Sequence, residues 1–396
     1  MSSTRGLRKS AALAVVALAA TAALLLVLLG SKNDQVVALT AAQSKTVRAG
    51  GCSAVVSSLS AAEASTASAP SGAVICLTNG SYDELHLDAD KTGSGVTVRA
   101  ENPGKATIAA ADLNGSGLLL SHFIIAGEIT IEPGSRKISV LDNRISGGYF
   151  GLNAGPTTST SISDTTVRGN LFAGPFGEDA IRLNRYHDSG DADPYGILIE
   201  GNEITGVREN GNHSDCLQSV WGGDGLYFRR NYLHDNRCQG FFVKDQPAPV
   251  ENVILSNNLM LRNAASCDPP GLDCGPPAVV QLYGPIRRLR LDHNTIWTAS
   301  NRSPVVWGEG PFESTAVADN VLYRAWSEWN GGFPGFADTG NVVCQWEGTL
   351  PRLSPSSTRS CTPRFQSPKE DDYRLRNGNA GITWSPTEQR YGPSAR

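Results

Sequence analysis

The sequence predicts an all-β chain, a right-handed parallel β-helix with an N-terminal cap and an irregular closing segment. Three observations carry this. An asparagine-bearing apolar element recurs through the middle of the chain, apolar residues alternate at period two around it, and the composition favours turns over long helices. The 396 residues include 42 Gly and 22 Pro, and only 18% are charged. Such a chain is poor in surface helices and rich in short strands and turns. Hydrophobic residues at 40% still provide a sizeable core.

The repeat reads apolar, two residues, Asn, one residue, apolar. It appears as Val140–Asn143–Ile145, Val167–Asn170–Phe172, Ile199–Asn202–Ile204 and Phe228–Asn231–Leu233. It continues as Leu255–Asn258–Met260, Leu291–Asn294–Ile296 and Val317–Asn320–Leu322. Successive Asn residues lie 27, 32, 29, 27, 36 and 26 positions apart. Several copies add an apolar residue two positions upstream, at Ile138, Ile197, Leu226, Val253 and Leu289. Period-two alternation means short strands with one buried face. A unit this short cannot bury its own apolar face, so the copies must stack. The Asn follows the strand, where the chain bends. Asn tolerates the left-handed backbone better than most residues, and stacked Asn side chains can hydrogen-bond as a ladder. A leucine-rich repeat has a shorter period, and a propeller blade needs hairpin signals that are absent.

These Asn-bearing coils, across roughly residues 96–325, resemble the pectate-lyase-like superfamily of right-handed parallel β-helix proteins. The resemblance implies the fold strongly and the activity weakly, because one fold hosts many functions. Neither the acidic pattern of polygalacturonases nor the DPH motif of alginate epimerases is present. Asp193, Pro194, Tyr195 and Gly196 share letters with the latter but not its order.

Four regions follow. Residues 1–40 contain Arg5, Arg8 and Lys9 ahead of an apolar run from Ala11 to Gly30. A positive segment before an apolar one reads as export. The length of the run suits both a cleaved signal peptide and an uncleaved membrane anchor. Either places the body outside the cell, with the membrane touched only through this segment. Residues 41–95 read as a cap over the first coil, where strand edges would otherwise be exposed. Residues 96–330 hold the repeats. Residues 331–396 lose the repeat, and Phe365 with Asp371, Asp372, Tyr373, Arg374 and Leu375 reads as a closing coil before a tail.

Removing residues 1–40 takes away Arg5, Arg8, Lys9 and Lys32 but only Asp34, leaving 30 basic and 37 acidic side chains, a net of −7. No basic block remains, which argues against nucleic acid as a partner. A polysaccharide is the expected partner, and the protein is expected to be a monomer. Eight cysteines in an exported chain suit disulfides. Their order suggests the local pairs Cys52–Cys76, Cys216–Cys238, Cys267–Cys274 and Cys344–Cys361. No CxxC pair supports a zinc site.

A second strand follows most of the ladder Asn residues. Aligned on Ile181, Leu217, Phe241, Val280 and Val306, the next residue points outward. That column holds Arg182, Gln218, Phe242, Gln281 and Trp307. Two residues further come Asn184, Val220, Lys244, Tyr283 and Glu309. Rungs about 4.8 Å apart suit an extended glycan bound by cationic, amide and aromatic side chains. Asp179 and Asp215 recur in register beside this column, with Asp245 near by. They are expected as oxygen ligands of Ca2+, or as acceptors for turn backbones. Lys244, Arg182 and His213 are the expected catalytic groups, as carboxylate partners or proton acceptors. The same cations also suit a plain solvated surface. The leading expectation is a polysaccharide lyase acting on a uronate-containing glycan by β-elimination. A non-catalytic glycan-binding protein and a glycoside hydrolase with Glu178 and Asp215 as its carboxylates are the alternatives.

Overall fold

The computed structural model describes residues 51–154, 160–176, 179–190, 195–208, 214–236, 239–243, 248–262, 279–298, 306–309, 311–323, 329–330, 337–344, 355–360, 362–370 and 372–386. Within them the pairing between coils is parallel throughout, and each coil lays strands into three ladders. This is the right-handed parallel β-helix expected from the repeat.

The first ladder holds the strands that precede the asparagines. It runs through Val96–Ala100, Leu118–Ser121, Ser139–Leu141, Thr165–Arg168 and Ile197–Glu200, and on to Ala316–Ala318. Its inward column is Val98, Leu120, Val140, Val167, Ile199, Phe228, Leu255, Leu291 and Val317, paired residue to residue and all buried. The second ladder follows each asparagine. It stacks Ile108, Ile125, Ile145, Phe172, Ile204, Leu233, Met260, Ile296, Leu322 and Val343 inward. The third ladder supplies Ala111, Ile129, Phe150, Ile181, Phe241 and Val280. Each large apolar side chain removed from water contributes about 1.5–3 kcal/mol. The three stacked columns therefore form one continuous core.

The asparagines form a buried ladder from Asn143 to Asn341, one residue beyond the seven copies of the repeat. Asn202 is typical. Its Oδ1 accepts the backbone N–H of Asn170 at 2.9 Å and the Asn170 Nδ2 at 3.1 Å, and its own Nδ2 donates to the Val167 carbonyl at 2.9 Å. Each side chain thus satisfies backbone groups at a corner where the sheet hydrogen bonds are interrupted. The left-handed residue is not the asparagine but its predecessor. Asp142, Gly169, Gly201, Arg230, Asn257, His293, Asp319 and Gly340 all have φ between 53° and 67°. The asparagine itself is needed for its amide.

Strand pairing begins upstream of residue 96. Ala54–Val56 pairs with Val74–Leu77, and Gly80–Asp90 pairs with Ala106–Ser116. A helix at Leu59–Ser68 starts where the Ser58 Oγ accepts the Ala61 N–H at 3.3 Å. Ala62 from this helix joins the main core. The Cys52–Cys76 disulfide is present. Cys344 is disulfide-bonded as well. Its expected partner Cys361 lies outside the described residues, as do Cys238, Cys267 and Cys274. Cys216 is buried in the core.

The C-terminal segment is a correction to the expected closing coil. Phe365–Ser367 pairs antiparallel with Asp372–Leu375, as a separate two-stranded sheet. The chain then returns along the outside of the second ladder. Ile382 and Trp384 pack on Tyr232 and Leu259, and the Trp384 Nε1 donates to the Asn257 carbonyl at 2.6 Å. Burial of two large apolar side chains explains why this stretch docks instead of adding a rung.

Candidate functional site

The third ladder positions the candidate site. Ile181–His187 pairs with Gln218–Arg229 so that Arg182 faces Gln218, and Gln218 in turn faces Phe242. Phe242 faces Gln281, and Gln281 faces Trp307. The expected column therefore exists residue by residue. Ile181 and Leu183 flank Arg182 and are fully buried, whereas Arg182 and Gln218 are half-buried, as alternation requires.

Two members depart from the expectation of an open face. Phe242 and Gln281 are each only 7% exposed. Neither belongs to the main core, so they lie on the outer side of the ladder under other side chains. Tyr283 accounts for part of this cover. Its ring meets Phe242 edge-on with centroids 5.9 Å apart, and its hydroxyl accepts the Gln281 Nε2 at 2.8 Å. The accessible part of the column is thus narrower than the sequence suggested and centres on Arg182 and Gln218. Trp307 continues the register through its backbone. Lys244, Asp245, His213 and Glu178 lie outside the described residues.

Asp179 and Asp215 sit one rung apart, as expected. Both are buried, and each has an oxygen engaged. The Asp179 Oδ1 accepts the Asp215 N–H at 2.8 Å, and the Asp215 Oδ2 accepts the Gln218 Nε2 at 3.1 Å. A calcium ion takes about six to eight oxygen ligands, so this pair by itself does not fit one. The turn-backbone reading describes Asp179. Asp215 does something further, because it orients Gln218 beside Arg182.

Gln239 joins this stack without having been among the expected site residues. It pairs with Asp215 and is 4% exposed, extending the polar stack by a rung. Its place two residues before Phe241, matching Asp179 and Asp215, was the available signal. The buried Ser214 Oγ and the Asn184 Oδ1 make no hydrogen bond among the described residues. Unsatisfied buried polar atoms are uncommon, and they gather where a site awaits a partner. Beneath the strand the Tyr186 hydroxyl meets the Ser219 Oγ at 3.1 Å, and burial pushes its ionisation well up. That tyrosine is structural. His187 is exposed and bonded to Ser161 at 2.7 Å, off the column.

One group of three side chains able to ligate a metal together occurs among the described residues. It is Glu84, His86 and Asp112, on the same ladder toward the N-terminal end. His86 pairs with Asp112 in the register that leads on to Thr130 and Gly151 and then to Arg182.

No family model matches the chain, and no curated protein matches it. Among solved structures it is similar to the PL6 family alginate lyase AlyGC, with 12% identity over 84% of this chain and 57% of that one, at a TM-score of 0.42. It is also similar to alginate lyase AlyF-OU02, solved in complex with G6, with 12% identity over 86% and 93% at 0.42. Pectate lyase Pel9A aligns with 13% identity over 87% and 90% at 0.39. The chain spans a little over half the length of AlyGC. At these identities the likeness concerns the fold alone.

Proposed function

We propose that the outer face of the third ladder, centred on Arg182 and Gln218, binds an acidic glycan and cleaves it by β-elimination. One observation carries the reading: a guanidinium and an amide stand in direct register on adjacent rungs, with the amide held by a buried carboxylate. A guanidinium recognises a carboxylate through paired, charge-assisted hydrogen bonds. Adjacent rungs about 4.8 Å apart let Arg182 take the uronate carboxylate while Gln218 takes hydroxyls of the same or the next ring.

In the reaction a base removes the proton α to the carboxylate. The electrons form the C4–C5 double bond, and the 4-linked oxygen leaves and takes up a proton. Negative charge builds on the carboxylate side as the proton departs, and Arg182 is placed to stabilise it. Lys244 and His213 are the proposed proton acceptors. One oxygen of Asp179 accepts the Asp215 N–H and one oxygen of Asp215 accepts from Gln218, and the steps proposed here use the side chains alone. Export, either by cleavage or by anchoring at Ala11 to Gly30, agrees with the Cys52–Cys76 disulfide. The reading takes the protein as a monomer.

The test is affinity electrophoresis of the full chain through gels containing polygalacturonate, alginate or a neutral glucan. Retardation by a uronate polymer and not by the glucan is expected, and Arg182→Ala should remove it. Equal mobility in all three gels would reject the reading.

A further inference from the structure

A cavity of about 710 Å3 opens between the corner joining the first and second ladders and the C-terminal stretch that returns over it. That volume lies within the usual range for small-molecule sites, about 300–1,000 Å3. Each residue before a ladder asparagine adopts a left-handed backbone, which is unfavourable for a residue other than glycine. Other rungs place Gly169, Gly201 and Gly340 there, or Asp142 and Arg230, and where the C-terminal stretch crosses, the residues are Asn257, His293 and Asp319. The backbone cost is offset at Asn257, whose Oδ1 accepts the Thr383 N–H at 2.8 Å and whose Nδ2 donates to the Thr383 Oγ1 at 2.7 Å. Docking of the stretch does not use the other two side chains. Both line the cavity.

The lining mixes donors with acceptors. Arg374 is fixed by Asp372, with the Nε to Oδ1 contact at 2.9 Å and the Nη2 to Oδ2 contact at 2.7 Å. The His293 Nδ1 lies 3.2 Å from the Asp292 Oδ2, which leaves its other ring nitrogen for the cavity. The Asp292 carboxylate raises the basicity of the ring against the opposing effect of burial. The half-buried Asp319 carboxylate and the exposed Gln366 and Asn379 amides also line the cavity. Leu375, Ala380 and Ile382 supply apolar surface. A bare anion would meet Asp319, and a bare cation would meet Arg374. A sugar offers hydroxyls that both donate and accept, together with an apolar ring face, and so satisfies every part of the lining.

We propose that this cavity is a second binding site, for a neutral sugar unit, separate from the face that carries Arg182. The proposal does not rest on the reading of the third ladder. The test is saturation-transfer NMR and calorimetric titration of the full-length chain with D-glucose, D-galactose and D-mannose in turn. Saturable binding of at least one sugar in the millimolar range is expected. Asp319→Ala and Asn379→Ala should each weaken it about tenfold, and Arg182→Ala should leave it unchanged. Asp319→Asn, run beside Asp319→Ala with circular dichroism on both, separates a lost contact from a lost fold. Saturation by none of the three sugars would overturn the proposal. So would full affinity in the Asp319→Ala, Asn379→Ala double variant, or loss of binding through Arg182→Ala.

Discussion

Asp179 reaches across one rung and accepts the backbone N–H of Asp215 at 2.8 Å through its Oδ1. Its neighbour's carboxylate then receives the Gln218 Nε2. A buried carboxylate thus braces the turn, and the turn braces the amide beside Arg182. Asp179→Ala should leave the Asp215 N–H buried without its acceptor, at a cost of about 1–3 kcal/mol. Asp179→Asn keeps an acceptor oxygen and should cost clearly less. Denaturant unfolding of both variants checks this, and equal losses would mean that charge, not the bond, sets the role of Asp179.

Losses along the asparagine ladder should depend on position. Asn202→Ala removes the acceptor of the Asn170 N–H and the donor to the Val167 carbonyl, and it leaves the Asn231 Oδ1 with the backbone N–H of residue 202 as its one remaining donor. With buried unsatisfied groups at about 1–3 kcal/mol each, a loss on the order of 3 kcal/mol or more is expected. Asn341→Ala, at the end of the ladder, should lose less. Urea midpoints for the two variants give the comparison.

His234 should make stability depend on pH. Burial opposes its charge, but hydrogen bonds to the Glu203 Oε1 at 2.9 Å and the Asp235 Oδ2 at 2.7 Å outweigh that and hold its pKa above the ordinary value. A raised folded pKa contributes stability that is fully present below the unfolded value of about 6.5. That contribution is lost as pH rises through the folded pKa. Wild-type stability should therefore fall with rising pH above about 6.5 relative to His234→Gln. An imidazole NMR titration with its midpoint at or below the unfolded value would contradict this.

Gly169 has φ of 67°, and a Cβ there would run into the Asp142 side chain of the neighbouring rung. Gly169→Ala should destabilise by about 1–2 kcal/mol, with most of the loss in the unfolding rate if the corner forms late. Thermal denaturation checks the first part and stopped-flow unfolding the second.

The fold and the column were legible because both follow from periodicity. Period two sets which of Ile181 and Arg182 faces inward, and the recurring asparagine sets which residues share a rung. Asn341 escaped because Asp338 stands where the repeat expects an apolar residue. Non-local packing was not legible. The cover that Tyr283 places over Phe242 and Gln281 depends on side-chain direction, and the docking of Trp384 on Asn257 links residues 127 positions apart. The left-handed corner was placed one residue late because Asn is a familiar left-handed residue. Here its amide is needed for the ladder, and Arg230 and His293 take the strained position instead. The carboxylate pair was found in register, but only geometry could show that Asp179 holds a backbone and Asp215 holds Gln218.

Arg182 is proposed to act on a uronate glycan. The most direct measurement is the ultraviolet absorbance of unsaturated uronate released from polygalacturonate and alginate, by wild type and by Arg182→Ala at matched folded concentration. A steady rise is expected with at least one polymer, and a fall of about 10²–10³-fold in that rate for Arg182→Ala, with the thermal midpoint unchanged. An Arg182→Ala variant that releases unsaturated product at the wild-type rate would contradict it.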